Sequence, residues 1–282
     1  EGCEVSATLE PGLAQRWGLH SAVMVAGGGG DNAVSAIGVG AVSPGDAFIS
    51  LGTSGVLFVV TDAYRPAPQS AVHAFCHVLP NRWHQMSVML SAASCLQWFC
   101  RLVGTTEATL LDEIAQLSDA EKAAAPLFLP YLSGERTPHN DPDARGMFWG
   151  LTHASQRATM GYAVLEGVSF GIADGLRVLQ ESGTRTEQCS LVGGGARSPF
   201  WAQLLADILD LPVITHKGGE TGGALGAARL ACLAAGKSLA AVCEKPEVHK
   251  IWRSDPQRHA ALMQRYQQFM ALYQNDLNYR TH

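Results

Sequence analysis

The sequence predicts an α/β fold with a mixed sheet. In the first half of the chain, β-rich apolar segments follow one another through short turns, which is typical of an antiparallel meander. In the second half, strands alternate with amphipathic helices, an order that favours α/β architecture. With 282 residues, 47% of them hydrophobic and 16% charged, the chain can bury a large core. This composition excludes a disordered or coiled-coil protein.

The first half of the chain supplies most of the predicted strands. An amphipathic segment that would cover a sheet is expected at residues 5–18, ahead of the first strand. After the meander the period becomes helical, and one more strand and a long loop follow. The predicted strands are 23–26, 46–51, 56–61, 71–79, 83–90 and 127–132; the helical segments are 91–100 and 107–117; the loop is 133–150.

A long regular helix is predicted over residues 156–182. Gly167, Gly171 and Gly175 recur along it every four residues. Glycine inside a helix costs about 1 kcal/mol relative to alanine, so the stripe indicates that another element approaches closely. Packing explains this stripe better than a chemical role does. The βαβα order then continues with strands at 189–192 and 213–215 and helices at 199–209, 222–235 and 256–278.

Charge and cysteine content limit the classes of partner. The net charge of −5 includes no basic run, so neither nucleic acid nor an anionic membrane is an expected partner. No apolar segment reaches the roughly 18 residues of a membrane span, and a cytoplasmic protein is expected. The seven cysteines form no CxxC pair and are interpreted as reduced core residues. No metal site is predicted, because His73 and His77 fall on a predicted strand.

Three glycine-rich turns each follow a predicted strand. They are Gly27–Gly30, which precedes Asp31, then Gly52-Thr53-Ser54-Gly55, and finally Gly193–Ser198. Exposed main-chain N–H groups in such turns, and at the helix N-terminus that follows the third turn, bind anions. Together the turns indicate a phosphate-bearing ligand, which no Walker-type loop would hold because the chain has no GxxxxGK[ST].

Each turn alone has an ordinary structural explanation. The second is also typical of a hairpin, and Asp31 is also expected if it only caps a helix starting at Asn32 or Ala33. The third would serve a dinucleotide-binding fold, although it lacks the full GxGxxG spacing. Such a dehydrogenase requires an acid about 20 residues later, a distance near which Glu220 lies, but Glu220 is better explained as a helix cap.

Five motifs, in this order along the chain, resemble those of the FGGY carbohydrate kinases, and the form Gly134–His139 is most similar to the members that phosphorylate xylulose. The motifs are Ala26–Ala33, Ser50–Gly55, Pro130–His139, Ala144–Leu151 and Gly193–Ser198. The resemblance covers nearly the whole chain. It implies an actin-like, ribonuclease-H-like fold, in which ATP and a sugar bind between two lobes.

The resemblance also implies roles for individual residues. Asp31 is the expected catalytic base, and Asn32 beside it is expected to contact the sugar. The nucleotide-binding residues that it implies are Gly52, Thr53, Ser54, Gly150, Gly194, Gly195 and Ser198. It assigns no role to Glu135, Arg136 or His139, for which an ionic brace of the loop is at least as good an explanation as substrate contact. The expected cofactors are ATP and Mg²⁺, and the expected substrate is D-xylulose, with ribulose and glycerol as alternatives.

The resemblance further implies that the chain is the C-terminal part of such a kinase. Residues 1–42 would then be the end of the first, sugar-binding lobe, and residues 43–282 the second, nucleotide-binding lobe. The missing N-terminal lobe would supply the other phosphate loop and most sugar contacts, so the chain alone is expected to be inactive. Apolar residues in 1–42 would be exposed or paired with another chain, as in a homodimer. A nucleotide-binding module without kinase activity remains an alternative.

Overall fold

The computed structural model describes residues 1–20, 22–218 and 222–281. The strands in chain order are β1 Val5–Thr8, β2 Met24–Ala26, β3 Ala47–Leu51, β4 Gly55–Thr61, β5 His73–Cys76, β6 Trp83–Met89, β7 Leu127–Leu129, β8 Met147–Trp149, β9 Cys189–Val192, β10 Val213–His216 and β11 Val248–Trp252. The helices are α1 Pro11–Arg16, α2 Asp31–Gly38, α3 Ala93–Leu102, α4 Glu107–Ala115, α5 Asp119–Ala123, α6 Arg157–Glu181, α7 Pro199–Leu209, α8 Gly222–Ala234, α9 Leu239–Val242 and α10 Pro256–Thr281.

A seven-stranded mixed sheet forms the centre of the molecule, in the order β11-β10-β9-β3-β4-β6-β5. The pairs β3–β9 and β9–β10 are parallel, and the others are antiparallel. β3, β6, β9 and β10 therefore run in the same direction, and their carboxyl ends lie at one edge of the sheet. Two further pairs, β1–β2 and β7–β8, are separate two-stranded sheets.

Helices cover both faces of the large sheet. Side chains along each strand alternate between the two faces, and apolar side chains are buried on both. Ile49, Leu51 and Leu57 belong to the main core, which also contains side chains of α3, α6, α7 and α10. Phe48 and Phe58 point to the other face, where they pack with residues of α2. α8 in turn packs on α2. The large sheet is therefore enclosed between two helical layers.

The close approach predicted for the long helix is confirmed. A Cβ added at Gly167 would lie 2.1 Å from the carbonyl oxygen of Phe128 on β7. At Gly175 it would lie 2.1 Å from the Ser87 hydroxyl on β6, and at Gly171 it would lie 2.8 Å from the end of Met89. The glycine stripe thus lets α6 pack directly on the strands.

Three predicted features differ from the structure. The segment 5–18 is not one amphipathic element: it contains β1, which pairs with β2, and the short helix α1. The meander is wrong in its order, since β6 lies between β4 and β5. After β4, the long link through the 3₁₀ turn Pro68–Ser70 passes the place beside β4 that β6 later occupies, and β5 begins beyond it. The loop 133–150 ends in an unpredicted strand, β8.

Candidate functional site

The turn Gly52–Ser54 joins β3 to β4, so the hairpin predicted for this motif is present. The side chains of Thr53 and Ser54 are exposed. The carbonyl oxygens of the turn face the protein: Thr53 accepts the Ala92 N–H at 3.0 Å, and Gly52 accepts the Ala93 N–H at 2.8 Å. The start of α3 thus obtains acceptors for N–H groups that a helix leaves unpaired.

The turn that begins at Gly193 follows β9, the strand next to β3. Gly193 has a φ of 87°, and a Cβ there would lie 2.8 Å from the carbonyl oxygen of Leu51. At Gly195 a Cβ would lie 2.4 Å from the Leu51 side chain, whereas none of the described atoms lies within 4 Å of that position at Gly194. Packing on β3 therefore accounts for two of the glycines, and Gly194 borders open space.

Ser198 is the N-cap of α7, where its hydroxyl accepts the Trp201 N–H at 3.2 Å. Because this side chain is buried and already hydrogen bonded, it fixes the first turn of α7. Gly150 follows β8 with a φ of 85° and borders open space. Trp149 beside it is 56% exposed, an aromatic surface that the sequence patterns did not single out.

Asp31 is the first residue of α2, and Gly30 occupies the N-cap position. The helix thus begins at Asp31, not at Asn32 or Ala33. Asp31 is exposed, and its Oδ1 accepts the backbone N–H of Asn32 at 2.7 Å and the Asn32 side-chain amide at 3.2 Å. Its carboxylate lines an open cavity of about 540 Å³ between α2 and α8.

The glycines before Asp31 alternate between close packing and open space. A Cβ at Gly27 would lie 2.7 Å from the carbonyl oxygen of Glu1, and one at Gly29 would lie 2.2 Å from Val78. Gly28, with a φ of 72°, and Gly30 have no described atom within 4 Å of a Cβ. Gly27 and Gly29 are therefore closely packed after β2, whereas the main chain at Gly28 and Gly30 is accessible beside Asp31.

α2 packs unusually closely on α8. A Cβ at Gly226 would lie 1.9 Å from the carbonyl oxygen of Val34. Arg229 of α8 donates to the carbonyls of Ile37 and Gly38 at 2.8 and 2.9 Å, and so caps the C-terminal end of the helix that carries Asp31. The close packing of α2 on α8 was not predicted, although the four-residue spacing of Gly222 and Gly226 is a signal for it.

An ionic and aromatic brace holds the loop before β8, as one of the two explanations predicted, but its main acid is Asp141. The Asp141 carboxylate accepts from Tyr273 at 3.0 Å and from Arg280 at 2.7 Å, both on α10. His139 stacks on Tyr273 with 3.7 Å between ring centres. Its Nε2 lies 3.0 Å from the Tyr131 hydroxyl, and burial lowers the pKa of His139.

Glu135 and Arg136 occupy different environments in this loop. Glu135 is 3% exposed, and burial raises the pKa of its carboxyl to about 7. Its Oε1 accepts the N–H of Leu90 at 3.0 Å and that of Arg136 at 2.7 Å. The Arg136 side chain is exposed. Glu135 therefore ties the loop to the end of β6 through main-chain hydrogen bonds.

The structure thus brings two predicted phosphate turns together. Gly52–Ser54 and Gly193–Gly195 meet across the adjacent strands β3 and β9, at the carboxyl edge of the sheet. In open α/β sheets this edge is where ligands bind. Asp31 and Asn32 form a second group on α2, and Gly150 follows β8. Glu220, the acid considered for a dehydrogenase, lies outside the described residues.

Comparison with known proteins decides the family. The model of the C-terminal domain of the FGGY family of carbohydrate kinases matches residues 47–235. This chain belongs to the FGGY family. The match contains the Gly52–Ser54 hairpin, the braced loop and the Gly193–Ser198 turn, whereas Asp31 and Asn32 lie before it.

Two relatives of this chain are bacterial xylulose kinases. The chain is 49% identical over 277 residues to xylulose kinase of Escherichia coli K12, with 97% of this chain and 57% of the relative covered. It is 51% identical over 234 residues to xylulose kinase of Klebsiella pneumoniae, with 83% of this chain and 48% of the relative covered. The chain thus spans about half the length of these relatives.

A solved structure confirms the fold. The crystal structure of a "xyloylose kinase" from Brucella ovis superposes with a TM-score of 0.92 at 47% identity, and the alignment covers 98% of this chain and 57% of that one. The predicted fold class, an actin-like ATPase lobe with a mixed sheet flanked by helices, is therefore confirmed. This chain corresponds to the C-terminal part of its relatives.

Two further observations concern metals and membranes. The described ranges contain no group of three His, Cys, Asp or Glu side chains placed to hold a metal ion. All seven cysteines are free, as predicted, but Cys76 is exposed and Cys3 and Cys232 are only half-buried, so the core assignment is wrong for these three. Among the helices of the described chain, none has the length and apolarity of a membrane span.

Proposed function

We propose that this chain is the nucleotide-binding part of a sugar kinase that transfers the γ-phosphoryl group of ATP to D-xylulose. One observation carries the proposal: two glycine turns with exposed main chain lie side by side at the carboxyl edge of β3 and β9. The identity of about half of the residues to two xylulose kinases supports xylulose as the substrate.

The nucleotide is assigned to the groove along these turns. The main-chain N–H groups and hydroxyls of Thr53 and Ser54 would bind the phosphates, since exposed turn N–H groups are good anion donors. Gly52, whose N–H donates to the Ser54 carbonyl at 3.1 Å, would border the phosphates through its main chain. The open space at Gly194 would admit the adenosine. The remaining assigned contacts, all still predictions, are Gly150, Gly195 and Ser198.

Asp31 is assigned as the base that accepts the proton of the attacking sugar hydroxyl, and Asn32 as a sugar contact. Phosphoryl transfer asks mainly for positioning and for one group to take this proton. An exposed carboxylate at the rim of an open cavity, beside accessible main chain, suits that role. The glycines around it leave room for the sugar and for the terminal phosphate.

Mg²⁺ fits this chain as an ion that arrives with the nucleotide. Such ions are usually held by one or two carboxylates together with substrate phosphates, so no cluster of three protein ligands is needed. We assign such a carboxylate to the missing N-terminal lobe, so that Asp31 remains free to accept the proton. When bound, Mg²⁺ supplies charge neutralisation of the phosphates, while the turns and Asp31 position the reactants.

The division into lobes belongs to the same proposal. Residues 1–42 are assigned to the end of the sugar-binding lobe and residues 43–282 to the nucleotide lobe. Large apolar side chains are exposed near the start of the chain, among them Trp17 at 61%, Leu19 at 48% and Met24 at 46%. Exposed large apolar side chains of this kind are expected where another element packs, and we assign them to contacts with the missing N-terminal lobe.

The test is a substrate panel with the full-length kinase that carries this chain. ATP-dependent ADP release is measured with D-xylulose, ribulose, aldopentoses and glycerol at equal concentrations, with a sugar-free reaction as the control. We expect the highest kcat/KM for D-xylulose. Faster turnover of ribulose or glycerol would reassign the substrate, and ATP binding without turnover of any sugar would favour the non-catalytic module.

A further inference from the structure

Glu135 is a buried acid that the proposed reaction does not use. It lies in the loop before β8 and is tied to Leu90, the residue that follows β6. We propose that Glu135 is a positioning residue for the Gly52–Ser54 hairpin: it holds the junction between β6 and α3, whose amides seat the hairpin. This inference rests on the proposed function only in assigning the hairpin to nucleotide phosphates.

The contacts form a short continuous path. Glu135 Oε1 accepts the Leu90 N–H at 3.0 Å. Two residues further on, the Ala92 N–H donates to the Thr53 carbonyl at 3.0 Å, and the Ala93 N–H donates to the Gly52 carbonyl at 2.8 Å. Because the junction is short, a displacement of Leu90 must move the two amides that fix the hairpin.

A side chain of α3 also contacts the hairpin. The Ser94 hydroxyl donates to the Thr53 carbonyl at 2.8 Å. With its carbonyls held by α3 in this way, the hairpin directs the opposite side of its main chain away from the protein. The orientation of the proposed phosphate donors therefore depends on the β6–α3 junction that Glu135 holds.

The environment of Glu135 explains why the chain uses an acceptor at this position. One oxygen serves two main-chain N–H groups, and Oε2 has no hydrogen-bond partner within the described ranges. The charged and titratable groups that act on or sense its charge are Arg136, the α6 residue Asp174, the α3 residue Cys95, and Tyr131 after β7. A neutral acceptor of the same shape should therefore serve as well as the carboxyl.

The experiment compares Glu135→Gln, which keeps the acceptor, with Glu135→Leu, which keeps the volume and removes it. Glu166→Gln is the control, because Glu166 is an equally buried acid whose partner is Arg265 on α10. Two quantities are measured for the full-length kinase that carries this chain: the Kd for ADP by calorimetry, and the hydrogen-exchange rates of the Ala92 and Ala93 amides, which report local opening whether or not nucleotide binds.

We expect Glu135→Leu to speed exchange at both amides and to weaken ADP binding by about tenfold, the factor typical of a lost buried hydrogen bond. Glu135→Gln should remain within about twofold of the wild type in both, since it retains the acceptor. Glu166→Gln should lower the thermal midpoint without changing either quantity. If Glu135→Leu does not fold, Glu135→Met is used, because its flexible chain fits irregular space.

The inference is overturned if the folded acceptor-free variant exchanges Ala92 and Ala93 at the wild-type rate, or if Glu166→Gln loosens them equally. Exchange that changes as expected without any ADP binding by the wild type would leave the positioning role intact and count against the nucleotide assignment of the hairpin. Failure of the two proposals is therefore distinguishable.

Discussion

Asp31 carries a chemical assignment that one substitution tests. Asp31→Asn keeps the size of the side chain and removes its ability to accept a proton at neutral pH. If Asp31 is the base, kcat of the full-length kinase falls by roughly 10²–10⁴-fold, the usual contribution of such a group, while ATP affinity changes little.

The structural alternative predicts a different result for the same variant. Asp31 is at the first position of α2, not at the N-cap, so its helix role is limited to a favourable charge near the N-terminus, worth about 0.3–1 kcal/mol. Measuring kcat and the thermal midpoint on one preparation separates the two roles. Near-normal turnover would contradict the catalytic assignment.

Two buried histidines make the stability of the chain sensitive to acid. His84 stacks on Phe58 with ring centres 4.4 Å apart, and His77 lies edge-on to the same ring. Burial lowers the pKa of each to about 4, below the ordinary histidine value of 6.5. The folded state thus favours the neutral ring, so stability is full above pH 6.5 and is lost as pH falls towards 4.

His84→Phe should remove the part of this acid sensitivity that belongs to His84. Between pH 7.5 and 4.5 we expect the wild type to lose about 2.5 kcal/mol more unfolding free energy than the variant, from 1.36 kcal/mol per pKa unit. Urea unfolding at both pH values measures it, with the exposed His153→Gln as control. Equal losses in wild type and His84→Phe would contradict the assignment.

The sequence selected the glycine turns as candidate phosphate sites, but it could not predict the contacts of each side chain. The Gly52–Ser54 and Gly193–Ser198 turns do meet, as their shared position after strands suggested. Burial of Glu135 in a brace was one of two open explanations, but its hydrogen bond to Leu90 could not be predicted, because that residue lies 45 positions away in sequence. Ser198 is a predicted nucleotide contact, and the structure shows that its hydroxyl caps its own helix.

At the scale of elements, neighbouring glycines in one turn should respond oppositely to the same change. Gly194→Ala adds a methyl group in open space, so we expect an unchanged thermal midpoint and ATP affinity lower by about tenfold. Gly195→Ala places its methyl 2.4 Å from the Leu51 side chain and should lower the midpoint. Calorimetry and thermal unfolding of both variants measure this, and unchanged ATP affinity in Gly194→Ala would move the nucleotide elsewhere.

Elements with a strong local period were predicted well, and those set by distant partners were not. α7 and β9 match their predicted bounds, and α6 begins and ends within a residue of them. The order of β5 and β6 could not be read from the sequence, because both orders satisfy the same alternation. β1 is exposed at all four residues, so no buried face marked it as a strand.

For the whole molecule, the chain alone should bind ATP weakly and release no sugar-dependent ADP. It contains the proposed adenosine groove and only one of the two phosphate-binding lobes of the proposal. Calorimetry with ATP and a coupled ADP assay with D-xylulose, run on the 282-residue chain beside the full-length kinase, measure both properties. Robust phosphorylation by the chain alone would show that the missing lobe is not required.

The parallel pairing of β3 with β9 affects how this molecule folds while it is being synthesised. β3 emerges from the ribosome long before β9, and every element from β4 to α6 lies between them in sequence. Contacts of such separation form slowly, because the entropy of closing the intervening chain must first be overcome. Until residue 189 has been translated, the edge of β3 that pairs with β9 stays unpaired, and an unpaired edge of an apolar strand such as Ala47–Leu51 exposes the nascent chain to aggregation.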